Sequence, residues 1–295
     1  MIWKLNAAIP SLDDKFQHVT ELPPIPEVAR AILALKEDPQ ANAHRLGRTV
    51  ELDPGLAATL VRYATSASFS YRGKIESIQD AISRVLGFDK AMHIALGLAA
   101  GRALRHAKEG PIGVKAFWRH AIFSASLMQY LAMQMPAAQR PAPGLVYLAG
   151  LVHNIGFLLM GHLLEAEFNL LNKALIERPS ASVIELEKEL LGLSHTDLGV
   201  WLLRKWKMPP EVLVTVFSHH NEHYQGNHAV YANLALIADR LLKRHSIGDA
   251  PTEELPLPLL SALGLTQEQA ESMLNRLQDE KEGLDVAVAS IVSQR

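Results

Sequence analysis

The chain has 295 residues, with 29 Lys+Arg against 31 Asp+Glu and a formal net charge of −2. That balance excludes the basic footprint of a nucleic-acid binder and the Lys/Arg excess of a membrane-surface protein. With 13 His and no Cys, disulfides, zinc ribbons and thiol catalysis are excluded, so any metal must be held by imidazole, carboxylate or amide groups.

Residues 1–20 read as an N-terminal extension without the long apolar core of a signal peptide, and no apolar run approaches the ~18–20 residues of a membrane span. The expectation is a cytoplasmic protein with no membrane and no nucleic-acid partner. Apolar positions then recur at helical spacing nearly everywhere, and no stretch alternates with period 2. Pro26–Glu37 carries a stripe of Val28, Ile32, Leu33 and Leu35 behind a first-turn proline. Asp53 and Pro54 suit the cap and first turn of a helix reaching Thr65. The polar stretch holding Ser66, Ser68 and Ser70 reads as a loop. Ser77 with Asp80 opens a helix that Gly87 closes, and Asp89–His106 continues as another. Further helices are expected at 114–134, 144–164, 168–177, 183–191, 195–206, 210–219, 228–245, 267–279 and 283–293.

The fold class is therefore all-α, a multi-helix bundle. Breaks at Lys108–Gly113, Pro136–Pro143 and Gly248–Pro258 divide it. Residues 21–110 form an N-terminal helical subdomain, 111–245 a His-rich bundle, and 246–295 a short C-terminal pair of helices after a Pro-rich link.

Residues 111–245 hold nine of the 13 His. His120 sits in WRHAIFSASL, His153-Asn154 in GLVHNIGFLLM, His195 in LSHTDLGVWLL, His219-His220 in VFSHHNEHY and Asp239 in ALIADRLLK. Ligands projecting inward from different helices make a metal site whose geometry bundle packing fixes. Imidazole suits Fe, Mn, Zn or Ni, and a carboxylate neutralises charge. Each residue also has a plain structural reading. His153 and Asn154 can be a hydrogen-bonded polar pair, Asp239 a surface ion-pair partner, His195 a helix-start residue beside capping Ser194, and His220 a solvated helix end. A helix would point His219 and His220 about 100° apart, which makes one shared ion awkward. Trp118, Trp201 and Trp206 read as packing residues, and Arg204, Lys205 and Lys207 as a solvated face.

The H…HD…D order resembles the HD-type metal phosphohydrolases, with LAGLVHNIG as their second helix and ALIADRL as the helix of their last Asp. His195 and the pair His219-His220 resemble the extra ligands of the two-metal HD-GYP branch. A closer match covers about Leu22 to Leu242. LPPIPEVARAILALKEDP, VELDPGLAATLVRYATSASF, KIESIQDAISRVLGFDKAMHIAL and WLLRKWKMPPEVLVTVFSHH follow in order and resemble the HDOD family.

That resemblance implies an HD-domain-like fold in a bacterial signal-transduction module, often tied to cyclic di-GMP pathways. It implies a metal-ligand set of His120, His153, Asn154, His195, His219, His220 and Asp239 around a divalent ion, with no residue assigned a catalytic role. Partners would be signalling proteins of a cyclic di-GMP or two-component pathway, and a homodimer is compatible. Two departures weigh against hydrolysis. The HD Asp is Asn154, which leaves Asp239 as the one carboxylate in the set and makes a two-metal clamp poor. Phe157 stands where hydrolytic members carry a phosphate-meeting Lys. The sequence thus favours a non-catalytic regulatory module. A metal-dependent phosphohydrolase and a nucleotide pocket without turnover stand as alternatives.

Overall fold

The computed structural model describes residues 22–65, 71, 73–104 and 109–293. The expected loop residues Ser66, Ser68 and Ser70, the extension 1–20 and His106 lie outside the described residues. Among those described there is no strand, and the chain is all-α as its periodicity predicts.

The N-terminal helices are α1 (Glu27–Lys36), α2 (Ala43–Val50), α3 (Pro54–Ala64), α4 (Ile78–Asp80, continuing as a π-helical turn Ala81–Leu86) and α5 (Phe88–Arg102). Asp53 caps α3 by accepting from the Leu56 backbone N–H, and Ser77 caps α4 by accepting from Asp80. Gly87, at φ 75°, turns the chain from α4 into α5. Helix α2 was not expected from the sequence, because its eight residues mix AHR and GRT with few apolar positions. It is held by the Asn42 cap and by burial of Leu46 and Val50.

The bundle follows as α6 (Val114–Gln134), α7 (Pro143–Val152), α8 (Ile155–Leu163), α9 (Glu165–Glu177), α10 (Val183–Leu190), α11 (His195–Lys205), α12 (Pro210–Ser218) and α13 (Ala229–Lys243). The sequence predicts one helix over 144–164. The structure breaks it at His153-Asn154, and α8 starts afresh at Ile155. This region, Pro143–Leu163, is long and apolar enough by composition to cross a bilayer, and 94% of an 18-residue apolar window within it is buried inside the fold. The C-terminal helices are α14 (Leu257–Ala262), α15 (Gln267–Asp279) and α16 (Lys281–Val292).

Helix α5 is buried all round from Ala91 to Gly101 and packs on α1, α3 and α7, so one hydrophobic core crosses from the N-terminal helices into the bundle. Helices α15 and α16 lie along α6, and α16 also touches α3. Trp118, Trp201 and Trp206 are buried packing residues, as expected. The Trp206 indole N–H donates to the Pro23 carbonyl and ties α11 to the start of the N-terminal region. Arg204, Lys205 and Lys207 are exposed.

The candidate site lies where α8 crosses α11. Gly156 makes this crossing possible: a Cβ there would stand 1.8 Å from the His195 carbonyl oxygen. Only a glycine lets the two backbones meet this closely.

Candidate metal centre

The donor residues arrive from five parts of the bundle. His120 projects from the middle of α6, His153 and Asn154 from the α7–α8 break, His195 from the first turn of α11, His219 and His220 from the end of α12, and Asp239 from α13. His120, His153, His195, His219 and Asp239 are all buried. Their rings form a chain: His120–His153, His153–His219, His195–His219 and His195–His220 centroids are 4.7, 5.0, 5.5 and 5.2 Å apart.

Three of these imidazoles are anchored through Nδ1. His153 Nδ1 donates to the Gly150 carbonyl at 2.7 Å, and His219 Nδ1 to the Val216 carbonyl at 3.0 Å. His195 Nδ1 donates to the buried Glu187 carboxylate at 3.0 Å. In each case the proton on Nδ1 leaves the Nε2 lone pair facing the centre, the tautomer a metal ligand requires. Burial drives His153 down to about 4 and His219 well below the ordinary histidine range, so both rings are neutral. Burial also acts against charge on His120 and His195, but the Asp239 carboxylate beside the first and Glu187 beside the second raise both.

Two carboxylates that sequence reasoning missed complete the set. Asp249 follows α13 in the segment expected to be a plain Pro-rich link, and Glu187 sits on α10. Asp239 is therefore not the one carboxylate present. Asp249 lies 3.3 Å from His220 Nε2, 3.6 Å from His195 Nε2 and 3.8 Å from His120 Nδ1. Burial would raise its carboxyl, but the surrounding imidazoles, His220 foremost, hold it well below the usual range. A signal for Glu187 exists: Val183, Leu186 and Glu187 share the buried face of α10, so a carboxylate stands in an apolar stripe. Asp249 has no comparable pattern beyond the buried Ile247 and Ala250 that flank its loop.

The expected 100° divergence of His219 and His220 does not apply, because α12 ends at Ser218 and both residues lie in its C-terminal turn. Their rings are 4.1 Å apart. His220 is not a solvated helix end, since its Nε2 reaches both Asp249 and His195 Nε2 at 3.3 Å. Asn154 turns its amide N–H group toward His120 Nδ1 at 3.2 Å and Asp249 Oδ1 at 3.1 Å. Phe157 stacks on the His195 ring with centroids 4.1 Å apart. Of the remaining histidines, His93 is buried and bonded to the Asp89 carbonyl, and His223 is exposed.

The donor set fits a divalent metal. His153 Nε2, Asn154 Oδ1 and Asp239 Oδ2 are buried without a hydrogen-bond partner, a costly state that a cation relieves. Two groups, His120/His153/Asp239/Asp249 and His195/His219/His220/Asp249, each bring their ligand atoms within 4.8 Å of one another. A cavity of about 400 Å³ reaches His120, Asn154 and Asp249, with Lys115, Arg119 and Phe157 also on its wall.

Known proteins resemble this chain throughout its length. The HDOD domain family matches residues 22–222. A crystal structure of a proposed signal-transduction protein from Marinobacter aquaeolei VT8 is 34% identical, with a TM-score of 0.83 over 98% of this chain. An HDOD domain protein of unknown function from Geobacter sulfurreducens has a TM-score of 0.77 at 21% identity, covering 97% of this chain and 99% of its own. An uncharacterized protein of Treponema pallidum is 24% identical over 269 residues, 88% of this chain. The chain spans 65% of the Marinobacter chain and 48% of the Treponema protein.

Proposed function

Since the chain belongs to the HDOD family, we propose that it is a regulatory module of bacterial signal transduction that acts through protein contacts around a buried, metal-holding His/carboxylate centre. The observation that carries this reading is the pair of residues at the mouth of the centre. Phe157 lies flat on His195 where a phosphate-binding cation would be needed, and Asn154 presents an N–H donor where the HD series has an acid. The centre thus keeps the ligand types of a metal site, while an amide and a phenyl ring stand at the two positions where the HD series carries an acid and a phosphate-meeting lysine. Its partners in this reading are signalling proteins of a cyclic di-GMP or two-component pathway, in keeping with the family. Exposed apolar Leu170 and Ile176 on α9 offer contact area.

The test is turnover. The purified chain, loaded with Mn²⁺, Fe²⁺, Zn²⁺ or Ni²⁺, is offered phosphomonoesters, nucleotides and cyclic dinucleotides. No hydrolysis is expected, and turnover abolished by His153→Ala overturns the reading.

A second reading, a metal-dependent phosphohydrolase, is favoured by the cavity that reaches His120 and Asp249 past Lys115 and Arg119. A bound divalent ion would supply Lewis-acid chemistry there. Lys115 is exposed at the wall, whereas Arg119 is held by Asp285 at 3.0 Å.

A further inference from the structure

We propose that Asp249 takes over the task of the carboxylate missing at Asn154 and bridges two divalent cations, one held with His120, His153 and Asp239 and the other with His195, His219 and His220. This rests on the reading of the centre as metal-holding and specifies its stoichiometry and its bridging ligand.

Asp249 is the one residue shared by the two donor groups. Its two oxygens meet different partners. Oδ1 faces His120 and Asn154, while Oδ2 faces His195 and His220. A carboxylate set between two clusters of imidazole nitrogens has the geometry of a bridge, and one negative charge between two cations offsets their repulsion. The Asp249 side chain is 9% exposed, and its Oδ2 has the imidazole nitrogens His220 Nε2 at 3.3 Å and His195 Nε2 at 3.6 Å. His153 Nε2 and Asp239 Oδ2, in the first group, have no hydrogen-bond partner. In the second group, the Nε2 atoms of His195 and His219 lie 3.5 Å apart, and those of His195 and His220 3.3 Å apart. Nitrogen lone pairs at that separation repel unless a proton or a cation lies between them.

The backbone is shaped to deliver this carboxylate. Gly248 adopts φ 90°, and a Cβ on it would stand 2.6 Å from His120 Nε2. Ser246, two residues earlier, is also left-handed at φ 54°. The chain leaves α13, turns twice through conformations disfavoured for L-residues, and brings Asp249 against the bundle. Asn154 then makes sense as an amide. Its N–H group donates to Asp249 Oδ1, so the amide at 154 holds the carboxylate that the two donor groups share. An Asp at 154 would put a second carboxylate against the first and remove that hydrogen bond. The cavity on this side gives an ion a route to the centre.

The experiment is metal loading of the full chain. Protein stripped by chelation is titrated with Mn²⁺ and, separately, Zn²⁺, with elemental analysis after desalting. The Mn²⁺ sample is read by electron paramagnetic resonance. Wild type is expected to hold two ions per chain with the spectrum of an exchange-coupled Mn pair. Asp249→Asn keeps the shape and loses the bridge. It is expected to hold one ion at most, about 100-fold more weakly, with the spectrum of isolated Mn. Asn154→Asp is expected to weaken binding, not restore it. Circular dichroism checks that each variant is folded, and Gly248→Ala, which pushes the loop off His120, is expected to give the same loss. Two ions in both wild type and Asp249→Asn with unchanged affinity overturn the bridge while leaving the metal centre intact. A single ion in wild type does the same. No ion in wild type overturns the metal centre itself, whatever Asp249 does.

Discussion

Glu187 and His195, eight residues apart, are both wholly buried and joined twice: the carboxylate accepts from the His195 backbone N–H at 2.9 Å and from its Nδ1 at 3.0 Å. The first bond satisfies an N–H at the start of α11, where no helical carbonyl is available. The second orients the ring. Glu187→Ala is expected to cost about 2–4 kcal/mol, because a buried donor and a buried ring proton lose their acceptor. Glu187→Gln should cost less, since its amide oxygen can still accept one bond. Urea unfolding measures both; an unchanged midpoint in Glu187→Ala refutes the argument. In metal-loaded protein the same variants should lower affinity about 10–100-fold, as loss of an orienting partner does.

Gly156→Ala should be among the most damaging single-methyl changes in the molecule. The added Cβ meets the His195 carbonyl oxygen, which belongs to backbone and cannot rotate away. Helices α8 and α11 must separate, at a cost of about 2–4 kcal/mol. Gly192→Ala is the control. Its φ is +68° with nothing within 4 Å of the new Cβ, so only the backbone term of about 1 kcal/mol applies. Equal losses in the two variants would remove the close approach as the explanation.

Lys90 gives a pH dependence independent of the candidate site. Burial lowers its pKa from 10.5 to about 8, with Glu280 opposing, and its ammonium lies 5.6 Å from the Tyr147 ring centroid. Below about pH 8 the folded chain carries a desolvated charge. Between about pH 8 and 10.5 the unfolded chain still binds a proton that the folded chain has released, so stability rises with pH in that window. Tyr63 acts in the opposite sense above pH 10, because burial raises it to about 12. Lys90→Met removes only the lysine contribution. The difference in unfolding free energy between variant and wild type should therefore favour the variant at pH 7.5 and shrink by pH 9.5. A constant difference across that range would show that Lys90 titrates normally.

Removal of residues 256–295 should abolish cooperative folding. Leu274, Leu277, Leu284, Val288 and Ile291 are buried, and the helices that carry them cover α6. Arg119 with Asp285, and Tyr130 with Glu280, fasten the same face. Each large side chain lost from burial forfeits roughly 1.5–3 kcal/mol, and together they rival the about 5–15 kcal/mol that holds a whole domain. A sharp thermal transition in the truncated chain, near that of the full chain, would contradict this.

Much was legible in the residues. Helical period marked α6, α11 and α15 nearly to the residue, because long amphipathic or apolar runs carry strong local signals, and Ser194 marks the start of α11. Helix α2 was not legible, since tertiary burial of Leu46 and Val50 supports it more than propensity. The break at His153-Asn154 was not legible either: both neighbours are apolar and no Gly or Pro marks the turn.

The sequence by itself determined the all-α class and, through the order of its segments, the short set of polar residues from which a buried centre could be built. Those are properties of local periodicity and residue type. Only tertiary structure decided which donors meet. Asp249, ten residues beyond Asp239 in a loop of the expected link, enters the centre because Gly248 takes a left-handed conformation against His120. Glu187 enters because α10 turns its one buried acid toward the start of α11. The charge of a buried site depends on which side chains converge in space, and spacing along the chain does not encode that for residues brought in by a turn.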